Sequence, residues 1–518
     1  MGRKDEEEYY EDEGEVGEEE AFELQTEEQR RNRIIAVFSG SYGISVLVHL
    51  AILAILAAII ITSPPQEKEA VVIAKREVKP QEFDEELKRD MEKKPQIQAE
   101  EQVEKPIIIL EEEVEVTSDV PKGTDLSNMS NKNLDSNSVA DAFGVGGGAA
   151  GAYGTRFGKG SLAREGGSEG TESAVTAALR WLKFHQSADG RWSGSNWMEN
   201  CTKGKCTGPG FNAGEHRYDT GLTALALLAF LGNGHTHRFG TFKQTVNKGL
   251  TWLKRQQNQS TGAIGYEDGH GESIYNHAIG TMALCEAYAV SRDFTLKRNA
   301  EQAVKFCVEA QNPGLGWKYG IKSGRNDTSV TGWMVLALKA AKTAGIDVPD
   351  GAFEGAQKWF VRATNSEGDV GYETPGGGSS YLAPNEGKYD VVPCMTAVSV
   401  ICRIFTGEKR SEDAIRKGAK ILADNPPDWS DPNNARKLNF YYWYYGTYAM
   451  FQVGGDRWHA WNKSMQQALL PRQRQRGCED GSWDPLAEWC LAGGRVYATA
   501  INALTLEIYY RYERAQQN

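Results

Sequence analysis

One phrase recurs along the C-terminal two-thirds of this chain: a helix ending in an aromatic-apolar pair, a glutamine, a glycine turn and another aromatic residue. Its clearest copy is WLKFHQSADGRW, with Trp181, Leu182, Gln186, Gly190 and Trp192. Copies follow at Trp252, Leu253, Gln256, Gly265 and Tyr266, and at Phe306, Gln311, Gly316 and Trp317. A weaker one holds Trp359, Phe360, Gly371 and Tyr372, and a last one Leu469, Gln473, Gly481, Ser482 and Trp483. A unit this short cannot bury its apolar face alone. Repetition therefore implies stacked neighbours and sets the architecture before composition is considered.

From Thr171 onward the hydrophobic period is helical. Amphipathic helices are predicted near 173–186, 242–257, 298–311, 352–363, 411–423 and 461–473. More apolar ones are predicted near 219–232, 277–291, 328–345, 391–407, 440–452 and 496–513. The second set is rich in Ala, Leu, Gly and Thr, as in TGLTALALLAFLG from Thr220. A helix apolar nearly all round is buried on both sides. Six pairs of one half-exposed and one buried helix predict an all-α closed ring, an (α/α)6 toroid with an inner barrel, an outer barrel and a cavity at one end.

The repeated W-L-x3-Q…G-x-W phrase resembles the QW repeats of squalene-hopene and oxidosqualene cyclases. SVTGWMVLAL, residues 329–338, looks like their inner-helix phrase, and protein prenyltransferase β-subunits share the toroid. The resemblance covers about 171–518. FYYWYYGTYAMFQ (440–452) and GRVYATAINALTLEIYYRY (494–512) resemble a group of membrane-anchored bacterial proteins known by these repeats and assigned no reaction.

The formal charge of −12 belongs to the N-terminal third. Residues 1–33 carry 14 acidic and 5 basic side chains, and 63–170 carry 22 and 14, which leaves 39 basic and 34 acidic in 171–518. The first stretch is expected to be a solvated cytoplasmic tail. Residues 63–170, rich in Pro, Glu and Lys and then in Gly, are expected to be a flexible linker with an r.m.s. span of about 55–60 Å. No basic cluster interleaves with aromatics, so no nucleic-acid partner is expected.

Residues 34–62 contain no Asp, Glu, Lys or Arg. As a helix they extend about 43 Å, enough to cross a bilayer with tilt. Arg30, Arg31 and Arg33 stand directly before them, which favours a cytoplasmic N-terminus and places the toroid in the periplasm of a bacterial inner membrane. Ser41, Ser45 and His49 share one helix face, and an intramembrane histidine should face protein or water. SVLVHLAILAIL is similar to the anchor of TonB-type energy transducers: Ser45, His49 and Leu56 match, while a further family serine falls on Ile60. That resemblance implies contact between His49 and a proton-driven motor complex. A packing histidine is the alternative.

The cyclases' acid motif, D-x-D-D, is absent. Its nearest counterpart is Arg325-Asn326-Asp327-Thr328, with one carboxylate. Asp219 and Asp390 fall at the starts of other inner helices, where an Asp commonly caps free N–H groups. The alternative is a ring of carboxylates at the cavity mouth, with His277 among them, able to act as acid or base. Trp333, Tyr442, Tyr445 and Tyr497 are candidates for an aromatic cavity wall facing an apolar or glycan-like ligand.

Prenyltransferases hold zinc through an Asp, a Cys two residues later and a distant His. Asp390 and Cys394 have the wrong separation, so neither a metal nor any other cofactor is expected. Cys478 lacks the downstream glutamine that a complement-type thioester needs. Cys201 with Cys206, and Cys478 with Cys490, are expected to close loops as disulfides in an oxidising compartment. The expectation is a tethered, non-catalytic module that binds a ligand or partner and couples to a membrane complex. The alternatives are a terpene-cyclase-like or carbohydrate-active enzyme, and a display scaffold.

Overall fold

The computed structural model describes residues 166–267, 270–376, 392–430 and 438–511. The tail, the run 34–62 with Ser45, His49 and Leu56, almost all of the linker, and Asp390 lie outside them.

Six helices form the outer layer: α1 (Glu169–Phe184), α3 (Lys243–Arg255), α5 (Phe294–Ala310), α7 (Asp350–Ala363), α9 (Asp413–Ala423) and α11 (Gly455–Leu469). Six alternate with them as the inner layer: α2 (Asp219–Gly232), α4 (Ser273–Ser291), α6 (Thr328–Thr343), α8 (Cys394–Phe405), α10 (Phe440–Val453) and α12 (Cys490–Arg511). Each inner helix packs on the next, and α12 packs on α2, so the inner ring is closed. No β-strand occurs among the described residues. The fold is the predicted all-α toroid.

Burial follows the two sequence patterns. In α1 the buried positions are Thr171, Ala174, Val175, Ala178, Leu179, Trp181 and Leu182, one stripe at helical spacing. In α2 and α8 every residue is buried, because each contacts ring neighbours and the outer layer at once. Two helix starts depart furthest from the expected ones. α11 starts at Gly455, since Gly454 and Gly455 both take positive φ (76° and 62°) and turn the chain straight from α10 into the next helix. α12 starts at Cys490 and is kinked at Gly494, whose φ of 63° a helical pattern does not anticipate.

The recurring phrase is a fastening. Trp192 Nε1 donates to Leu182 O (2.7 Å), Trp317 Nε1 to Cys307 O (2.7 Å) and Trp483 Nε1 to Leu469 O (2.8 Å), each satisfying a carbonyl at the open end of an outer helix. Each glutamine amide ties its own turn to the next outer helix. Gln186 donates to Gly190 O and Thr245 O, and Gln311 to Leu315 O and Ala352 O. In the second copy this work falls to Gln257, on Gly262 O and Asn299 O, and not to Gln256. Ile264, not Tyr266, takes the aromatic's place there: its N–H is received by His277 Nδ1, as those of Trp192 and Trp317 are by Thr223 and Thr331.

Gln473 closes the circle, donating to Gly481 O (2.9 Å) and to Ala174 O of α1 (2.7 Å). Gln473→Ala would strip both carbonyls of a donor and should cost about 1–3 kcal/mol. Gln256→Ala should cost less than about 0.5 kcal/mol. Urea unfolding of the two variants in parallel checks this, and equal midpoints would contradict the assignment.

Candidate functional site

The N-terminal ends of the inner helices gather the polar and aromatic groups with chemical potential. Asp327 is the N-cap of α6: its Oδ1 accepts the N–H of Val330 (2.7 Å). The residue is fully buried, and beyond the Val330 N–H the side-chain donor set against its carboxyl is Tyr372. Burial raises the carboxyl to a pKa of about 7, although the Val330 N–H, the Lys318 ammonium and the Tyr372 hydroxyl all favour the charged form. A carboxyl of this kind can hold or release a proton near neutrality.

Around it stand residues delivered by two successive turns. Lys318 and Tyr319 follow Trp317, and Tyr372 and Glu373 follow Gly371, because both turns lead the chain from the outer layer towards an inner-helix start. Lys318 pairs with Glu373, which also takes Arg325 Nη2 at 2.9 Å, and the Tyr319 and Tyr372 hydroxyls lie 2.8 Å apart. Burial raises both phenols, that of Tyr319 to about 12. A second chain of hydroxyls runs inward. Tyr275 of α4 donates to Ser329 Oγ of α6 (3.0 Å), which lies 3.0 Å from Tyr441 OH of α10.

One turn beyond Ser329, Trp333 meets three tyrosines of α10: Tyr441, Tyr444 and Tyr445, with ring centroids 6.1, 6.0 and 5.4 Å away. α8 separates α6 from α10 in the ring, so these contacts reach across the lumen. Burial raises the phenol of Tyr497, on α12, as it does those of Tyr441 and Tyr445. The Tyr497 hydroxyl finds no hydrogen-bond partner among the described residues, whereas that of Tyr445 is set against Tyr441.

Other candidates lie elsewhere. Tyr442 faces the outer layer: its hydroxyl donates to Asn425 O (2.7 Å) and its ring meets Trp461 edge-on. Consecutive residues point all round a helix, and this one points away from the lumen. Asp219 accepts the Gly194 N–H (2.7 Å), with Arg191 Nε 3.6 Å away, so it braces its own hairpin and shares no partner with Asp327. His277 lies between the layers against Phe306 and Cys307; burial lowers it to about 3, leaving it a neutral acceptor for the Ile264 N–H. Among the described residues, Asp219, His277 and Asp327 do not converge as the expected ring; Asp390 lies outside them.

The expected disulfides are corrected as well. All eight cysteines are free, with Cys201 and Cys206 Sγ 3.8 Å apart. Cys478 turns away from Cys490 and towards His185 Nε2 (3.4 Å), where Cys201 and Cys206 also point. The CTKGKC spacing could have suggested this pairing of thiols on one partner. His185 and Cys478 offer no local signal.

No protein-family model matches the chain, and no curated protein matches it. Among solved structures, the apo form of a type II terpene cyclase, MstE, from Scytonema is similar over 65% of this chain and 97% of that one, at 13% identity and a TM-score of 0.43. An α-amylase from Clostridium perfringens is similar over 65% and 97%, at 14% identity and 0.41. An inactive variant of an α-1,6-mannanase of Salegentibacter, bound to α-1,6-mannotriose, is similar over 66% and 99%, at 10% identity and 0.42.

Proposed function

We propose that the toroid is a binding module for an apolar ligand with a hydrogen-bonding head, working on a tether from a bacterial inner membrane. One observation supports the ligand. Trp333 of α6 meets Tyr441, Tyr444 and Tyr445 of α10, and the buried Tyr497 hydroxyl of α12 lacks a hydrogen-bond partner among the described residues. A buried polar atom without a partner costs about 1–3 kcal/mol, and a ligand head that bonds to it recovers that cost. The rings supply the apolar wall.

The membrane half of the proposal rests on the uncharged run 34–62 and the arginines before it. It gives a cytoplasmic N-terminus, a periplasmic toroid and, through Ser45, His49 and Leu56, a contact with a proton-driven complex.

A second reading, an enzyme with Asp327 as its general acid, is favoured by the pKa of about 7 at that buried carboxyl. Both are tested on the full chain in detergent with geranylgeraniol as probe and maltotriose as comparison. Binding is expected to quench tryptophan fluorescence saturably with geranylgeraniol alone, and Trp333→Ala to weaken it about tenfold. Recovery of the probe unchanged supports the binding module. A product that vanishes in Asp327→Asn supports the enzyme. No saturable quenching by the wild-type chain sinks both.

A further inference from the structure

His185 ends α1, in the first repeat, and Cys478 lies in the last repeat's turn, 293 residues away. Cys201 and Cys206 lie between them in chain order, in the long connection from α1 to α2. Ring closure brings all four together, with their ligand atoms within 4.8 Å of one another. From His185 Nε2 the three sulfurs stand at 3.7, 3.7 and 3.4 Å, and the Cys201 and Cys206 sulfurs are 3.8 Å apart. A tetrahedron with metal–sulfur bonds of about 2.3 Å and a metal–nitrogen bond of about 2.0 Å has edges of about 3.5–3.8 Å. A disulfide would instead need sulfurs about 2.05 Å apart, and would need neither a third thiol nor an imidazole.

The imidazole is already oriented for ligation. Nδ1 lies 2.8 Å from Trp181 O; donating its proton there leaves Nε2 with its lone pair towards the thiols. Trp181 stacks on the ring at 4.2 Å and Trp197 meets it edge-on at 5.3 Å, which fixes its plane. The two cysteine loops are clasped independently, Glu479 Oε1 accepting the N–H groups of Thr207 (2.5 Å) and Gly208 (2.9 Å).

We infer that His185, Cys201, Cys206 and Cys478 form a tetrahedral Cys3His site for zinc that staples the last repeat of the toroid to the first. Three thiolates and one imidazole select a soft or borderline cation of tetrahedral habit, and zinc satisfies both conditions. On binding, each thiol releases its proton to solvent, so Zn2+ with three thiolates carries a net charge of −1. Arg180, Lys203 and Asp480 line the cleft beside Cys478, a balance of one positive charge against it. Four protein ligands leave no position for water, so the ion is structural. It adds to the packing of α12 on α1 and α2 and to hydrogen bonds such as those of Gln473.

The test uses the full chain, purified through a tag without metal affinity. Elemental analysis is expected to find about one zinc per chain, falling below about a tenth in Cys206→Ser and Cys478→Ser. Cys490→Ser removes a buried cysteine outside the quartet and should keep its zinc. Chelation should lower the thermal midpoint by about 10 °C or more. Should the serine variants fail to fold, cobalt added to the chelated wild-type chain decides: an intense thiolate-to-cobalt absorption with tetrahedral d–d bands supports the site. Wild-type chain without zinc and with only weak octahedral cobalt bands overturns it. So does a Cys201–Cys206 disulfide found by peptide mapping, or unchanged zinc in both folded serine variants.

Discussion

Arg495→Met should destabilise the toroid by about 3 kcal/mol, the low end of what breaking a buried ion pair costs. The guanidinium is fully buried at the start of α12 and all its branches are engaged. Nε donates to Asn212 Oδ1 (2.9 Å), Nη1 to Ser482 Oγ (2.9 Å) and Nη2 to Asp484 Oδ1 (2.8 Å). It thus joins the connection after α1 to the final repeat's turn and to the kinked helix. Methionine fills much of the volume but leaves Asn212 and Ser482 short of donors. Asp484 is not stranded, because Arg474 still reaches both its oxygens (3.0 and 2.5 Å), and this keeps the cost from rising towards 5 kcal/mol. Arg495→Lys should fall between, since a single ammonium cannot reproduce the fork. Urea unfolding of the detergent-solubilised chain measures it, and a loss under about 1 kcal/mol would show that the network contributes little.

The sequence pattern carried the ring and missed the junctions. Periodicity tells which residues share a helix face, so six buried and six half-exposed helices were legible, with the glutamine-tryptophan turns between them. It does not tell which of two adjacent glutamines faces two buried carbonyls, and in the second repeat Gln257, not Gln256, meets them. Nor does it tell which of six crowded aromatics on α10 looks inward: Tyr445 meets Trp333, whereas Tyr442 meets Trp461. The cysteines show the larger gap. Pairing by nearness in sequence suggested Cys478 with Cys490, but closing the circle sets Cys478 beside a histidine from the opposite end of the domain. Asp327 was visible as an inner-helix acid. Its tyrosines were not, because Tyr319 and Tyr372 come from different repeats and meet only when the two turns are stacked.

Asp327→Asn should stabilise the toroid above neutral pH, by up to about 4 kcal/mol, and change little near pH 4. The ordinary carboxyl titrates near 3.8, and burial lifts this one to about 7. Between those values the folded chain keeps a proton that the unfolded chain has released. Stability contributed by the protonated form is therefore complete below about pH 4 and drains away as pH rises to about 7. Above that, the folded state carries a buried charge whose desolvation Val330, Lys318 and Tyr372 offset only in part. Asparagine cannot ionise, yet its Oδ1 can still accept the Val330 N–H, so the cap survives while the titration goes. Asp327→Ala separates the two roles: it loses the cap as well, at a cost of about 1 kcal/mol at either pH. Unfolding midpoints at pH 5 and pH 8 distinguish the cases, and parallel pH dependence in wild type and Asp327→Asn would mean that the proton resides elsewhere. A residue kept in its place against its own stability is what a ligand head or a proton transfer would require, and the asparagine variant exposes that cost without disturbing the helix it caps.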